Sequence, residues 1–258
     1  PDDKTKISLN TSSGFRAPNV DDMGKLFDFV AGEVVVPNVN LSAEKAYNGE
    51  INLSKLIGNA LKIDLTGYYT FLKDAMVRRA TKVNGKDSIL YNGKMSKAYS
   101  IQNAAFAEVF GLHVGFEFDL PLGFYLSSRY NVQIGKEEMN SGATSGSRHA
   151  APAFGLSTLG YKKEKIHLQF YAVYSASVSY ENLNEEERQK PAIYARDENG
   201  KPYSPSWYTL NMKGMFTVFK SSTLNIGLEN LTNQRYRTYS SGIVAPGFNA
   251  IIGFSVLI

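Results

Sequence analysis

Between Ala104 and Leu120 the even positions read Ala104, Phe106, Glu108, Phe110, Leu112, Val114, Phe116, Phe118 and Leu120. The odd positions read Ala105, Ala107, Val109, Gly111, His113, Gly115, Glu117 and Asp119. A period of two sustained over that length predicts a strand with one apolar face. Strands of ordinary globular domains run about 5–6 residues, so this one is too long for a typical sandwich. The same pattern returns in Leu61–Phe71, Phe124–Ile134, Ile166–Tyr174, Leu210–Val218, Leu224–Leu228 and Phe248–Ile258. Long helical periodicity is absent, which predicts an all-β protein.

Connections alternate in length. Tight turns are expected at Ile57–Ala60, Pro121–Gly123, Lys162–Lys165 and Lys220–Ser222, and long polar loops near 14–43, 81–97, 138–147, 182–205 and 236–247. Short turns at one end of the strands and long loops at the other are the wiring of an up-and-down outer-membrane barrel. About ten antiparallel strands follow, with the chain starting and ending on the short-turn side. The alternative is a soluble or surface-exposed β-sheet protein that binds carbohydrate or a protein partner, its apolar faces meeting each other.

Geometry favours lipid. With a rise of about 3.3 Å and a tilt near 40°, ten residues cross an apolar band of about 25 Å. Ten residues separate Phe118 from Glu108, the one charged residue on the apolar face of that strand. A charge at mid-bilayer costs about 2–4 kcal/mol and near the boundary about 0–1, which puts Glu108 at the outer margin. Lys55, just before a short turn, can snorkel to the inner one. Phe71, Phe124, Tyr161, Trp207, Tyr208 and Phe219 gather near strand ends as interfacial girdles do. Tyr171, Val173, Met215 and Ile251 break the pattern: they face the lumen and need a plug, a bulge or local packing.

Composition narrows this further. The 258 residues hold no cysteine, so neither a disulfide framework nor a thiolate metal site is available. No apolar run reaches the roughly 18–20 residues of a spanning helix, and the mean hydropathy of −0.24 reads as soluble only if strands are ignored. The sequence begins in polar residues without a signal peptide, so an outer-membrane reading treats it as a fragment or processed product. The net charge of +4 is carried by scattered basic residues, which excludes an extended nucleic-acid footprint. His113, His149 and His167 sit on separate strands without ligand spacing, and neither a phosphate loop nor a nucleophile elbow occurs. The pattern therefore implies no enzyme, no cofactor and no metal site. Glu185-Glu-Glu-Arg188 reads as a solvated charge run in a loop. Asn40-Leu-Ser42 and Asn230-Leu-Thr232 match the glycosylation sequon but read as turn chemistry.

Several stretches resemble the barrel signatures of TonB-dependent outer-membrane receptors. Gly14-Phe-Arg-Ala-Pro-Asn19 with Pro37-Asn-Val-Asn-Leu-Ser-Ala-Glu44 resembles the paired boxes around one extracellular loop. Phe106–Glu117, Arg148–Gly155, Pro205–Asn211 and Gly227-Leu-Glu-Asn-Leu-Thr-Asn-Gln-Arg-Tyr236 resemble later signatures in the same order. The resemblance implies that 1–258 is the C-terminal portion of a barrel of about 22 strands, with plug domain and signal peptide outside this chain. It ends in Ile258, where the family typically has an aromatic residue. The implied setting is the outer membrane of a Gram-negative bacterium, with outer-membrane lipid around the barrel. The implied function is active uptake of a scarce nutrient, energised through TonB and a plug by segments absent here.

The family's cargoes include ferric siderophores, haem, cobalamin and glycans. Residues 20–36 lack the histidine that haem receptors often carry between the two boxes. Arg78 and Arg79 near one loop, and Arg235, Tyr236 and Arg237 near another, offer cations and aromatics suited to an anionic ferric chelate. Arg16 stands at a loop root, where it steers ligand or plug or simply serves the turn. Glu44, Glu50, Glu117 and Glu229 are expected to face the lumen, available to plug arginines or to water. A ferric siderophore is the expected small-molecule cargo.

Overall fold

The computed structural model describes residues 2–30, 32–148, 150–188, 190 and 192–256. Ten long strands carry the fold: β1 (Thr5–Arg16), β2 (Glu44–Ile57), β3 (Leu61–Ala80), β4 (Lys94–Asp119), β5 (Phe124–Glu138), β6 (Phe154–Lys163), β7 (Ile166–Ser175), β8 (Trp207–Phe219), β9 (Ser222–Glu229) and β10 (Asn249–Val256). They lie side by side in chain order, each antiparallel to the next, in a sheet that does not close within this chain. Tight turns join β2–β3, β4–β5, β6–β7 and β8–β9 at one end, as the alternation required. The expected final segment reaches Ile258, whose last two residues lie outside the described ones.

The register lines up one apolar belt. One cross-strand row runs Ile57, Leu61, Phe118, Leu126, Leu159, Phe170, Met212 and Leu228. The next runs Phe124, Tyr161, Leu168, Gly214, Ile226 and Ile252. The belt is uncovered: in these rows Leu159 is 46% exposed and Ile252 77%, and in a further row Phe110 is 58% and Ile134 64%. Among the described residues, the buried hydrophobics (Val34, Val35, Ala75, Ala98, Ala105, Met139, Leu183 and Tyr194) all lie on the long-loop side of Glu108. A sandwich would bury its apolar rows against a second sheet; here no second layer covers them.

The opposite face is wet and internally bonded. Glu117 pairs with Arg129 at 3.3 Å, and Asn10 donates to Glu50 at 3.3 Å. Glycines open room for folded-over tyrosines. A Cβ at Gly160 would lie 2.0 Å from Tyr125 Cζ, so only glycine admits that ring. The Tyr125 hydroxyl accepts from Gln169 at 2.8 Å and shares a second hydrogen bond with His167 Nε2 at 2.8 Å. Gly160→Ala is therefore expected to displace the ring, strip both bonds and cost about 1–3 kcal/mol in denaturant unfolding of the inserted barrel.

Glu108 accepts from the Tyr69 hydroxyl at 2.9 Å, and Lys55 reaches Asp2 at 2.8 Å below β2. Phe124 packs on Tyr161 with centroids 5.0 Å apart at the short-turn end. Of the four lumenal misfits, Tyr171 and Val173 share a cavity of about 200 Å³ with Tyr236, Pro246 and Gly247, where the last loop folds back. Met215 and Ile251 stay 39% and 46% exposed.

Two expected loops hold more structure than their polarity suggested. Segment 81–97 contains the hairpin of Ser88–Tyr91 with Lys94–Lys97, so β4 runs ten residues further than Ala104. Segment 14–43 contains the helix Val20–Gly24 and the paired strands Phe27–Val30 and Glu33–Val35, the latter parallel to Lys97–Tyr99. Here one face of the extension is covered by these loop strands (Ser96, Ala98 and Ser100 are buried), but small and polar residues do the burying, so no apolar alternation marks it in the sequence.

Candidate functional site: the extracellular loop platform

The loops after β5, β7 and β9 fold into one platform at the long-loop end. Asn184 is its first node: its amide donates to Glu137 Oε1 at 2.9 Å and Gly146 O at 2.7 Å. Its Oδ1 accepts from the Glu186 backbone at 2.8 Å, opening the short helix Glu185–Arg188. Arg148 pairs with Glu186 at 2.7 Å, and Arg188 gathers the carbonyls of Tyr180, Leu183 and Glu181.

Glu187 is the second node and overturns the expectation of a solvated charge run. Its side chain is 0% exposed. It accepts from Lys190 at 2.5 Å, from the Tyr194 hydroxyl at 2.5 Å and from Ser240, in the last loop, at 3.3 Å. Burial alone would raise its pKa, but the bonds from Lys190 and Tyr194 outweigh that and hold it below the ordinary carboxylate range. Burial and then the Glu187 charge push the Tyr194 phenol up. Tyr239, its ring 6.4 Å from that of Tyr194, is pushed up to about 12 by burial and then by Glu187 and Glu137.

Beside this node lies a cavity of about 420 Å³ lined by Ile193, Tyr194, Trp207, Arg235, Tyr236 and Arg237, among others. Tyr236 stacks on Trp207 with centroids 4.2 Å apart and planes at 27°. Arg237 Nη1 donates to the carbonyls of Ala192 (2.7 Å) and Ile193 (3.2 Å), clamping the two loops together. Below, Asn230 is buried and bonded: its backbone donates to Asn211 Oδ1 at 2.9 Å, and its amide donates to Gln234 O and Pro246 O. That is turn chemistry, with φ at 50°. Asn40 likewise sits in a turn, its backbone donating to Asn38 Oδ1 at 3.1 Å.

The sequence candidates thus separate. Arg235, Tyr236 and Arg237 meet in one cavity. Arg79 lies elsewhere, bonded to the Met139 carbonyl and paired with Glu138 at 2.7 Å. Arg78 lies over the Tyr99 ring at 5.6 Å. Arg16, on β1, is held by Glu44 at 2.6 Å and Asp22 at 2.9 Å, and Glu44 also accepts from the Met76 backbone at 3.0 Å. Glu229 lines the small cavity beneath the last loop. His149 lies outside the described residues. No group of three or more metal-ligating residues occurs among the described residues. Sequence reasoning missed Asn184, whose partners Glu137 and Gly146 lie on another strand and loop, and the Glu187–Tyr194 pair, which is local but whose seven-residue spacing matches no regular motif.

A family profile described as TonB dependent receptor-like, beta-barrel, matches residues 1–231. The chain belongs to the TonB-dependent receptor family. It is an outer-membrane protein, with short periplasmic turns and the platform outside the cell. It is 28% identical over 280 aligned residues to haemoglobin-binding protein A of Haemophilus influenzae, covering 92% of this chain and 24% of that protein. It is 26% identical to transferrin-binding protein A of Neisseria meningitidis, covering 93% of this chain and 27% of that one. A mutant ferric enterobactin receptor from Pseudomonas aeruginosa superposes with a TM-score of 0.75 at 16% identity, over 98% of this chain and 38% of that structure. This last likeness shows the fold alone. The chain spans about a quarter of the length of the curated relatives it matches.

Proposed function

We propose that the chain is the C-terminal portion of a longer receptor barrel that imports an iron compound, energised by TonB through a plug domain lying elsewhere in that receptor. The preferred cargo is iron or haem carried by a host protein. The supporting observation is the platform itself: three loops are stitched by Asn184 and Glu187 into a fixed outward surface, and Arg79 and Arg237 are spent on internal bonds rather than aimed at a small anion. The names of the sequence relatives, which bind haemoglobin and transferrin, point the same way. A second reading keeps the ferric siderophore: the cavity of about 420 Å³ is of small-ligand size, and Arg235 with the Trp207–Tyr236 stack supplies a cation and aromatic faces.

Iron-limited growth separates the two. A strain carrying the full-length receptor is expected to grow on haemoglobin or transferrin as sole iron source and to stop when TonB is deleted. Growth on ferric siderophores alone would move the assignment to the second reading. Growth on neither, or growth without TonB, would overturn both.

A further inference from the structure

The apolar belt is dented at Gly214. In the row Phe124, Tyr161, Leu168, Gly214, Ile226 and Ile252, Gly214 alone brings no side chain. Around it a groove of about 350 Å³ opens on the lipid face, walled by Phe124, Leu159, Tyr161, Leu168, Phe170 and Phe216. Its floor is the sheet with the Phe216 ring leaning over Gly214, 2.8 Å from where a Cβ would stand, and its walls are continuous with the hydrocarbon-facing belt, so what fills it in the membrane is hydrocarbon.

The groove lies at the periplasmic end, beside cations. The next row towards the turns reads Lys163, Ile166, Phe216 and Leu224, so Lys163 shares the lipid-side face directly below the groove. Lys165 sits in the β6–β7 turn, its carbonyl accepting from Thr217 at 2.8 Å, which brings that turn against β8. Lys220 occupies the neighbouring β8–β9 turn. All three lysines are exposed; the acid within this cluster, Glu164, is exposed in the same turn as Lys165. Lysine stems can lie along the belt while their ammonium groups sit at headgroup level.

We propose that this is a binding site for one anionic phospholipid of the periplasmic leaflet, an acyl chain in the Gly214 groove and the phosphate at Lys163, Lys165 and Lys220. The arrangement joins an apolar slot to a cationic rim at the depth where a phospholipid changes from chain to headgroup. It rests on the membrane placement of the sheet and is independent of the cargo.

Native mass spectrometry of the full-length receptor, equilibrated with equal amounts of phosphatidylglycerol and phosphatidylethanolamine, tests it. Wild type is expected to retain the anionic lipid about fivefold or more over the zwitterionic one, as several lysines acting on one headgroup would give. Combined Lys163→Gln, Lys165→Gln and Lys220→Gln substitutions, all at exposed positions that folding tolerates, should bring the ratio to parity, and the corresponding arginine variants should keep it. Leu168→Trp, which fills the slot with another belt residue, should lower retention of the anionic lipid. No preference in wild type, or a preference that survives the three glutamines, would overturn the site.

Discussion

Replacing Leu112 by arginine is expected to lower the unfolding free energy of the membrane-inserted barrel by about 2–4 kcal/mol, while the same change at His113 stays within about 0.5 kcal/mol. The two positions are adjacent on β4 and point to opposite faces. Leu112 pairs with Gly67 and Val132 in the belt, 43% exposed, midway between Glu108 and Phe118. A guanidinium there lies near the bilayer midplane, too far from either margin to snorkel without distorting lipid. His113 pairs with Thr66 and Asn131, where water or polar neighbours solvate an added charge. Denaturant titration of the full-length receptor in bilayers reads the difference. Equal costs at both positions would mean that the two faces meet the same medium.

Glu187→Ala is expected to cost about 2–4 kcal/mol of local stability, because it strands the buried Tyr194 hydroxyl without an acceptor and removes the tie to Ser240. Lys190, 40% exposed, turns to solvent and adds little. The loss corresponds to about 30- to 700-fold faster amide exchange in 182–194 and 236–241, with the belt unaffected. Glu187→Gln, which keeps the volume and one acceptor, should cost less. The pH dependence has a definite sign. The carboxylate is held below its ordinary range, so its contribution is present above about pH 4.5 and is lost as pH falls through the depressed value. Exchange in the platform should therefore be flat through neutrality and accelerate only in acid. Exchange that is fast already at pH 7 in wild type would contradict the platform.

What the sequence made legible follows from where a medium imposes a pattern. Lipid on one side and water on the other force the alternation of Ala104–Leu120, so strands and turns could be read from residues alone. Above the band that constraint ends. The hairpin at Ser88–Tyr91 and the first ten residues of β4 carry Lys94, Ser96, Lys97 and Tyr99 without a clean face, and they read as loop. The platform was harder still. Glu187 is buried in a node that ties Lys190 and Tyr194 of its own loop to Ser240, 53 residues away, so the run Glu185-Glu-Glu-Arg188 carried no mark of burial. Arg16 could be placed at a loop root, but its partner Glu44 emerges only once β1 and β2 are in register. The Arg235–Arg237 cluster was visible because it is contiguous, whereas its cavity also needs Trp207 and the loop at Ile193.

The central claim is that one face of this sheet meets hydrocarbon and the other meets water. This chain carries no cysteine, so single cysteines for nitroxide labels can be set at each position from 104 to 120 without competing thiols within it. In the full-length receptor in bilayers, collision with membrane-dissolved oxygen should peak at even positions from 110 to 118, and collision with an aqueous nickel reagent at the odd ones. Even positions shielded from both reagents, as they would be between two packed sheets, would contradict the account.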